Sequence, residues 1–455
     1  MALQVQLKVP VMPMPPPRPS MADRHSTGKA LRDRLQRTDQ GNWTPQGDRP
    51  DLIPCLKTAN APRRPDLLPL KWGRMSTSPF AFFRGSGALM AMDIASGPVT
   101  GMKVQMCGDA HLLNLGAYAA SDGHLVFDLN DFDESMPGPW EWDLKRLCAS
   151  AVLGGREAAR SEADCRDAVK VLVRAYREGM ARFAEMKGLE LARFEVTPQG
   201  GGGVLKEVLA RATRDTPDKL LAKATEDDGH GGRRFQLRPP LIQPLKAAEL
   251  EDLLGGLPDY RETVLPGRRQ VLEGYVPVDA VFKVLGTGSI GTTCLLLLCL
   301  GQNLEDPLFL KLKSEEPSVW APYLPEAEAA PHQGRRAALG QHRMQTWVDP
   351  FLGWTRFGSQ DFLVRQWSDH KAAVDLSALQ GTALTDYAAL CGGLLAKAHA
   401  RTGDPVMLDG YLGDTEKLDE ALADFAKAYA DQVTRDHERF RGAIRSGELQ
   451  AITGV

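Results

Sequence analysis

Apolar residues recur at steps of three and four along several stretches of the chain, which is the spacing of one face of an α-helix. This spacing predicts helices over residues 334–347, 377–400 and 415–445. A further long helix is predicted where the apolar positions form a continuous stripe, made of Val169, Leu172, Val173, Tyr176, Met180 and Phe183. Such a stripe is typical of a helix that packs against a core rather than one that binds a cofactor.

Short apolar runs bounded by glycines, prolines and acids predict strands instead. The run Thr292–Leu298 shows no polar alternation, which indicates a strand buried on both faces. Other predicted strands cover residues 104–106, 125–127, 280–285, 307–313 and 361–367. The predicted class is therefore α+β.

These elements divide the chain into four predicted parts. A proline-rich run at residues 9–19 denies the backbone helix and ladder hydrogen bonds, so residues 1–60 are predicted to be an extended or disordered tail, or a wrapped extension. A polyproline ligand for another protein is the alternative. Residues 61–265 are predicted to form most of a helical lobe, and residues 266–370 a small lobe with an antiparallel sheet. Residues 371–455 are predicted to be a helical segment that returns to the large lobe.

Composition changes this picture little. The length of 455 residues favours more than one packed unit, and a net charge of -3 gives no general attraction to nucleic acid or to an anionic membrane. Seven scattered cysteines without a C-x-x-C pair predict reduced thiols in a cytoplasm. The most apolar run, residues 294–300, is too short to span a bilayer.

Two acidic motifs carry the most chemistry. Asp109 and Asn114 stand at the Asp-x-x-x-x-Asn spacing of kinase catalytic loops, where the Asp receives a hydroxyl proton and the Asn holds a metal ion. A second cluster, residues 128–134, follows a predicted strand and supplies Asp131 as a further Mg²⁺ ligand. Asp128 and Asp133 are second choices for that ligand.

Two other interpretations of these motifs stay open. His111 and His124 suggest a two-metal phosphoesterase, but the chain has no later Gly-Asn-His to complete that site. Asp and Asn also collect in loops for turn formation alone, without any metal.

A glycine motif lies far downstream, at residues 286–291. Its backbone, at Gly286, Gly288, Ser289 and Gly291, is predicted to cradle phosphates, although the pattern alone is weak. A Walker loop would need a lysine where Thr292 stands. A dinucleotide fold would need a helix where the residues from Thr292 onward indicate a strand.

A kinase-like site also needs a lysine on a strand after the glycine turn. Lys313 is the predicted phosphate ligand, with Lys311 on the same strand face in reserve. In most kinases the glycine turn precedes the catalytic loop, whereas here it follows. A circular permutation removes the contradiction, because the order from Gly286 to the helix near residue 400 continues at Gly108.

Several long motifs of the chain resemble the bacterial family known as domain of unknown function 2252. They are residues 78–85, 107–114, 128–134, 137–147, 286–291 and 394–404. The family's name implies no reaction. Asp131 and Asp143 are twelve positions apart, and Leu144 follows Asp143. This spacing resembles that of aminoglycoside and choline kinases, in which a metal-binding Asp is followed twelve positions later by an Asp-Leu that supports the catalytic loop.

The motif order thus predicts a circularly permuted, two-lobed protein-kinase-like fold. The predicted function is ATP- and Mg²⁺-dependent phosphoryl transfer to a small-molecule hydroxyl, with Arg84 neutralising developing charge. Nucleotidyl transfer and a nucleotide-binding pseudokinase or scaffold are the alternatives. The last is motivated by residues 334–345, which contain no acid to pair with the lysine; Glu326 and Glu328 are possible substitutes.

Overall fold

A computed structural model describes residues 19–196, 202–214, 216–284, 286, 288–324, 330–367 and 372–454. Its helices are α1 Met21–Arg34, α2 Leu52–Ala59, α3 Leu68–Met75, α4 Pro79–Gly85, α5 Gly87–Ala95, α6 Trp140–Glu157, α7 Glu162–Glu185, α8 Gly188–Arg193, α9 Gly202–Ala212, α10 Pro217–Ala224, α11 Ala247–Thr263, α12 Pro266–Leu272, α13 Gln333–Met344, α14 Ala383–Ala400, α15 Pro405–Leu412 and α16 Lys417–Arg445. Its strands are β1 Lys103–Met106, β2 Leu115–Ala119, β3 Leu125–Leu129, β4 Met136–Pro139, β5 Thr225–Asp227, β6 Arg233–Phe235, β7 Ile242–Pro244, β8 Val276–Lys283, β9 Cys294–Leu300, β10 Pro307–Glu315, β11 Gly353–Phe357, β12 Gln360–Gln366 and β13 Ala372–Ala373.

The long helices α6, α7, α14 and α16 pack together around the largest apolar core. The predicted stripe of α7 is buried throughout, which confirms the helical spacing read from the sequence. The helices predicted around residues 334–347, 377–400 and 415–445 correspond to α13, α14 and α16. Two small antiparallel sheets, β1–β4 and β13–β2–β3, lie beside this core, and both acidic motifs follow strands of these sheets.

A six-stranded antiparallel sheet forms the second part, in the order β11-β12-β10-β9-β8-β7. All seven residues of β9 are buried. Leu295, Leu297 and Cys299 join a core that includes α11, whereas Leu296, Leu298 and Leu300 join one that includes α10. Because side chains alternate along a strand, covering both sheet faces requires an unbroken apolar run. The mixed α+β class and the buried strand are therefore confirmed.

Two predicted boundaries differ from the structure. The sheet part begins before residue 266, because β7 pairs with β8 and α11 packs on β11. Residues 19–60 are also folded, with a capping box at Ser20 starting α1 and with Ile53 and Leu56 of α2 buried. The proline-rich composition of the first residues concealed these two short helices; residues 1–18 lie outside the described part.

All seven cysteines are free thiols, as the scattered spacing predicted. Within the described ranges, none of the helices combines the length and the apolar character needed to cross a membrane.

Candidate functional site

A charged cavity of about 160 Å³ lies where the two acidic motifs, the glycine turn and the segment before α3 meet. Its lining joins residues that are more than 200 positions apart in the sequence. The titratable side chains that line it are Arg63, Lys71, Arg84, Asp109, His111, Asp131, Asp133, Glu134, Lys313, Glu315 and Glu316.

The first acidic motif leaves β1 through a sharp turn at Gly108. This glycine has φ +79°, and a Cβ there would lie 2.2 Å from the carbonyl oxygen of Glu134. The Trp320 indole donates a hydrogen bond to the Gly108 carbonyl at 2.6 Å. Only glycine suits both the positive φ and the close approach, so the backbone holds Asp109 at the cavity wall.

Asp143 supports this turn from beneath. Its two carboxylate oxygens accept hydrogen bonds from the backbone N–H groups of Cys107 at 2.7 Å and Gly108 at 2.9 Å, and the residue is fully buried. His399 lies 3.3 Å away on the other side and contacts the Tyr176 hydroxyl at 2.9 Å. The supporting acid expected twelve positions after Asp131 is therefore in contact with the loop.

Asp109 is oriented by an arginine that the sequence analysis missed. Arg146 of α6 donates from Nε at 2.6 Å, and its Nη2 lies 2.5 Å from the same oxygen, Oδ1. The other oxygen, Oδ2, lies 3.7 Å from His111 Nε2. Arg146 is buried over the ring of Phe83, and no local motif distinguishes it from other helical arginines.

Asn114 and Asp131 both reach the cavity. The Asn114 amide donates to the backbone carbonyl of Asp109 at 2.7 Å, which leaves its side-chain oxygen available as an acceptor. Burial raises the pKa of Asp131, but the positive charges of Lys313, Arg365 and Lys311 outweigh burial, and the pKa is lowered overall. Asp131 is therefore a carboxylate at neutral pH.

These two side chains could hold Mg²⁺ only with help from a ligand. In the part of the chain that the structure describes, no group of three or more His, Cys, Asp or Glu side chains could hold a metal ion. Mg²⁺ commonly uses one or two protein oxygens and completes its octahedron with phosphate oxygens and water. The donor set of Asn114 and Asp131 fits that mode and not an all-protein metal cage.

Lys313 of β10 extends into the same cavity, and its acidic partner is now identified. Lys313 is buried and forms an ion pair with the partly exposed Asp133, from the second acidic cluster. Helix α13, where an acid was sought, instead presents Arg336, which donates to the carbonyls of Asp133 at 2.6 Å and Ser135 at 2.8 Å. The possible substitutes Glu326 and Glu328 lie outside the described residues.

Lys311 points to the same side of β10 but does not line the cavity. Burial, and then the neighbouring Arg365, lower the pKa of Lys311 to about 8. Lys313 is thus the lysine of β10 that a ligand in the cavity would contact.

Gly286, Gly288 and Ser289 of the glycine turn line the cavity, and Gly291 does not. Gly291 has φ +89°, and a Cβ there would lie 2.8 Å from the Cβ of Arg63. It therefore allows the turn to pack against the segment before α3.

That segment and helix α3 also hold the turn, by donating hydrogen bonds to the backbone carbonyls of the turn. The oxygens of Gly286, Gly288 and Ile290 accept hydrogen bonds from the side chains of Arg74, Lys71 and Arg63, respectively. The Gly291 carbonyl accepts from the backbone N–H of Arg64 at 2.9 Å.

Besides Lys311 and Gly291, two further sequence candidates are not brought to the cavity. Asp128 is buried in an ion pair with Lys397 of α14 and is not among the lining residues. His124 contacts Asp122 and Glu195 near the surface, away from His111. The structure thus does not assemble the histidine pair that a two-metal phosphoesterase would use.

Arg84, the candidate for charge neutralisation, does line the cavity. Its Nε is buried without a hydrogen-bond partner. Burial lowers the pKa of this guanidinium, against the opposing charges of Asp109 and Asp131.

Comparison with known proteins gives one match. The model of a family described as "Uncharacterized protein conserved in bacteria (DUF2252)" matches residues 63–443. Neither a curated protein nor a solved structure matches the chain.

Proposed function

The chain belongs to this bacterial family, and we propose that it is an ATP- and Mg²⁺-dependent phosphotransferase that acts on a small-molecule hydroxyl. One observation carries the proposal: Asp109, Asn114, Asp131 and Lys313 line a single cavity together with the glycine turn. These are the types of group that phosphoryl transfer requires, namely a carboxylate for the acceptor, oxygen ligands for magnesium and a cation for the phosphates.

In the proposed reaction, the acceptor hydroxyl attacks the terminal phosphorus of ATP. The bond from that phosphorus to the bridging oxygen breaks, ADP leaves, and the hydroxyl proton passes to Oδ2 of Asp109. Arg146 supports this role because it occupies Oδ1, while no donor among the described residues lies within hydrogen-bond distance of Oδ2. Magnesium held by Asn114 and Asp131 would neutralise the negative charge of the phosphates.

The arrangement of parts supports a permuted kinase-like architecture. The glycine turn and Lys313 belong to an antiparallel sheet, and the two acidic motifs belong to the helical part, so the cavity lies between the two. Its volume of about 160 Å³ is below the ~300–1,000 Å³ typical of ligand pockets.

A binding and transfer experiment tests the proposal. Calorimetry with MgATP compares the wild type with Lys313→Met and with Lys311→Met, a control from the same strand face outside the cavity. Loss of a charged contact of about 1.5–3 kcal/mol should weaken binding about 10- to 100-fold for Lys313→Met only. Asp109→Asn should retain binding and lose transfer of label from the terminal phosphate. No MgATP binding by the wild type would refute the proposal.

A nucleotide-binding protein without turnover is the second candidate. It is favoured by the origin of the acid paired with Lys313, which comes from the second acidic cluster and not from α13, whereas active kinases hold this lysine with an acid of the corresponding helix. Binding of MgATP with no transfer to any hydroxyl compound and no hydrolysis would support it. ATP labelled at its α-phosphate would reveal nucleotidyl transfer in the same assay.

A further inference from the structure

Three cations face the cavity without a carboxylate in salt-bridge distance among the described residues: Arg63, Lys71 and Arg84. Lys71 is 1% exposed, and its Nζ contacts the Gly288 carbonyl at 3.3 Å. Arg63 donates from Nη1 to the Ile290 carbonyl at 2.7 Å. Nε of Arg84 has no partner. All three come from one stretch of 22 residues, numbered 63–84.

For Lys71, which is buried, such an arrangement is costly without a ligand, whereas Arg63 and Arg84 are partly exposed. A buried cation is normally paired with an acid, because neutral carbonyl partners do not replace the hydration that burial removes. In the helical core, Arg177 pairs with Asp419 and Lys397 pairs with Asp128, whereas Lys145 is buried over the ring of Phe425. The pKa of Lys71 is well below its usual value, because of burial first and of the nearby Arg63 charge second.

We infer that Arg63, Lys71 and Arg84 form an oxyanion site that binds a phosphate group of a ligand. Guanidinium groups match the acceptor oxygens of phosphate in a bidentate way, and a lysine adds a point charge. A phosphate dianion or a polyphosphate would balance two or more of these cations, whereas a carboxylate would balance one. The site extends the proposed function and rests on it only for the identity of the ligand.

Two sources share this chemistry, namely the phosphate chain of a nucleotide and a phosphate group on the acceptor. Lys71 contacts the glycine turn, and Arg84 lines the cavity together with Asp109. The cations therefore extend from the proposed nucleotide side of the cavity to the proposed acceptor side.

The test uses the full chain with inorganic phosphate and tripolyphosphate as probes, in the absence of magnesium and nucleotide. Calorimetry should detect binding by the wild type at millimolar probe or below. Lys71→Met should weaken it about tenfold or more while leaving the thermal midpoint of the free protein equal or higher, because a desolvated cation is removed. A variant that loses affinity without losing thermal stability indicates that the residue binds a ligand and does not merely hold the fold together.

Arg74→Met is the matched control. Arg74 donates to the Gly286 carbonyl at 2.5 Å, so it holds the same turn, but it does not line the cavity. The inference predicts unchanged probe affinity in this variant. An equal loss in Arg74→Met, or no probe binding by the wild type, would overturn it. If Lys71→Met does not fold, Arg84→Met provides the same comparison at a partly exposed position.

Competition then identifies the source, and both outcomes support an oxyanion site. Displacement of the probe by MgATP assigns the site to the nucleotide, and simultaneous binding assigns it to the acceptor. The result is separable from the proposed reaction. If the probe binds in a Lys71-dependent way but the protein transfers no phosphoryl group, the oxyanion site is supported and the proposed reaction is rejected. If the protein transfers a phosphoryl group but does not bind the probe, the reaction is supported and the oxyanion site is rejected.

Discussion

The hydrogen bonds from the first acidic turn to Asp143 lead to a quantitative prediction for Asp143→Asn. The carboxylate accepts from the N–H groups of Cys107 and Gly108, one on each oxygen, and none of these groups reaches water. An asparagine of the same shape retains a single acceptor oxygen. Its NH₂ group would face one of the two backbone donors, so one hydrogen bond is lost and one buried N–H remains unpaired.

The magnitude follows from these two terms. A hydrogen bond to a charged group contributes about 1.5–3 kcal/mol, and an unsatisfied buried donor costs about 1–3 kcal/mol. Because the terms overlap, we expect Asp143→Asn to lower the free energy of unfolding by about 3 kcal/mol. A turn displaced by about 1 Å would also reduce any reaction that depends on Asp109 about 100-fold.

Urea unfolding followed by circular dichroism measures the first effect. If only native contacts are lost, the urea concentration at the midpoint should fall, and the slope of the free energy of unfolding against urea concentration should not change. Asp164→Asn is the matched control, since Asp164 also accepts a backbone N–H, from Ser161 at 3.3 Å, but at the exposed start of α7. This control should lose no more than about 1 kcal/mol.

A loss in Asp143→Asn as small as that of the control would refute this reasoning. It would mean that packing, including the contact of Trp320 with Gly108, holds the turn without the carboxylate.

Three further predictions concern the same region. Burial lowers the pKa of His111 in the native protein to about 3, whereas a histidine in the unfolded chain has a pKa of about 6.5. As the pH falls below 6.5, the unfolded chain therefore binds a proton that the native protein does not bind, and the native state loses stability. Between pH 6.5 and pH 5, urea titrations should show the free energy of unfolding falling by about 2 kcal/mol more in the wild type than in His111→Asn. Gly108→Ala should lower the unfolding midpoint strongly, because its Cβ would overlap the Glu134 carbonyl, and an unchanged midpoint would contradict the described turn. Lys397→Met should lower the free energy of unfolding by about 3–5 kcal/mol, because it leaves Asp128 charged and buried. The double variant Lys397→Met/Asp128→Asn should recover much of that stability in a double-mutant cycle, and no recovery would argue against a structural ion pair.

Much of the site could be predicted because its motifs are local. The spacing of Asp109 to Asn114 places both around one turn, and the amide of Asn114 does bond the Asp109 backbone. The interval from Asp131 to Asp143 identified the acid that supports the turn. Each prediction relied on a few residues whose separation along the chain limits how far apart they can lie.

The partners of these residues could not be predicted in the same way. Arg146, Asp133 and Arg63 occupy sequence contexts shared by many solvated side chains, and only their surroundings distinguish them. Asp128 was a second choice for the metal ligand, yet Lys397, 269 positions away, draws it into the helical core. Charge pairing over such distances depends on packing that no local pattern specifies.

By itself, the sequence determined the α+β class, the buried strand β9, the amphipathic helices and the composition of the two acidic loops and the glycine turn. These features depend on periodicity and on backbone geometry, which act over a few residues. The tertiary structure alone decided that Asp133 pairs with Lys313, that Asp128 stays out of the cavity and that residues 63–84 add three cations to it. Those choices depend on burial and Coulomb interactions, which act through space and take their values only when distant segments are packed together.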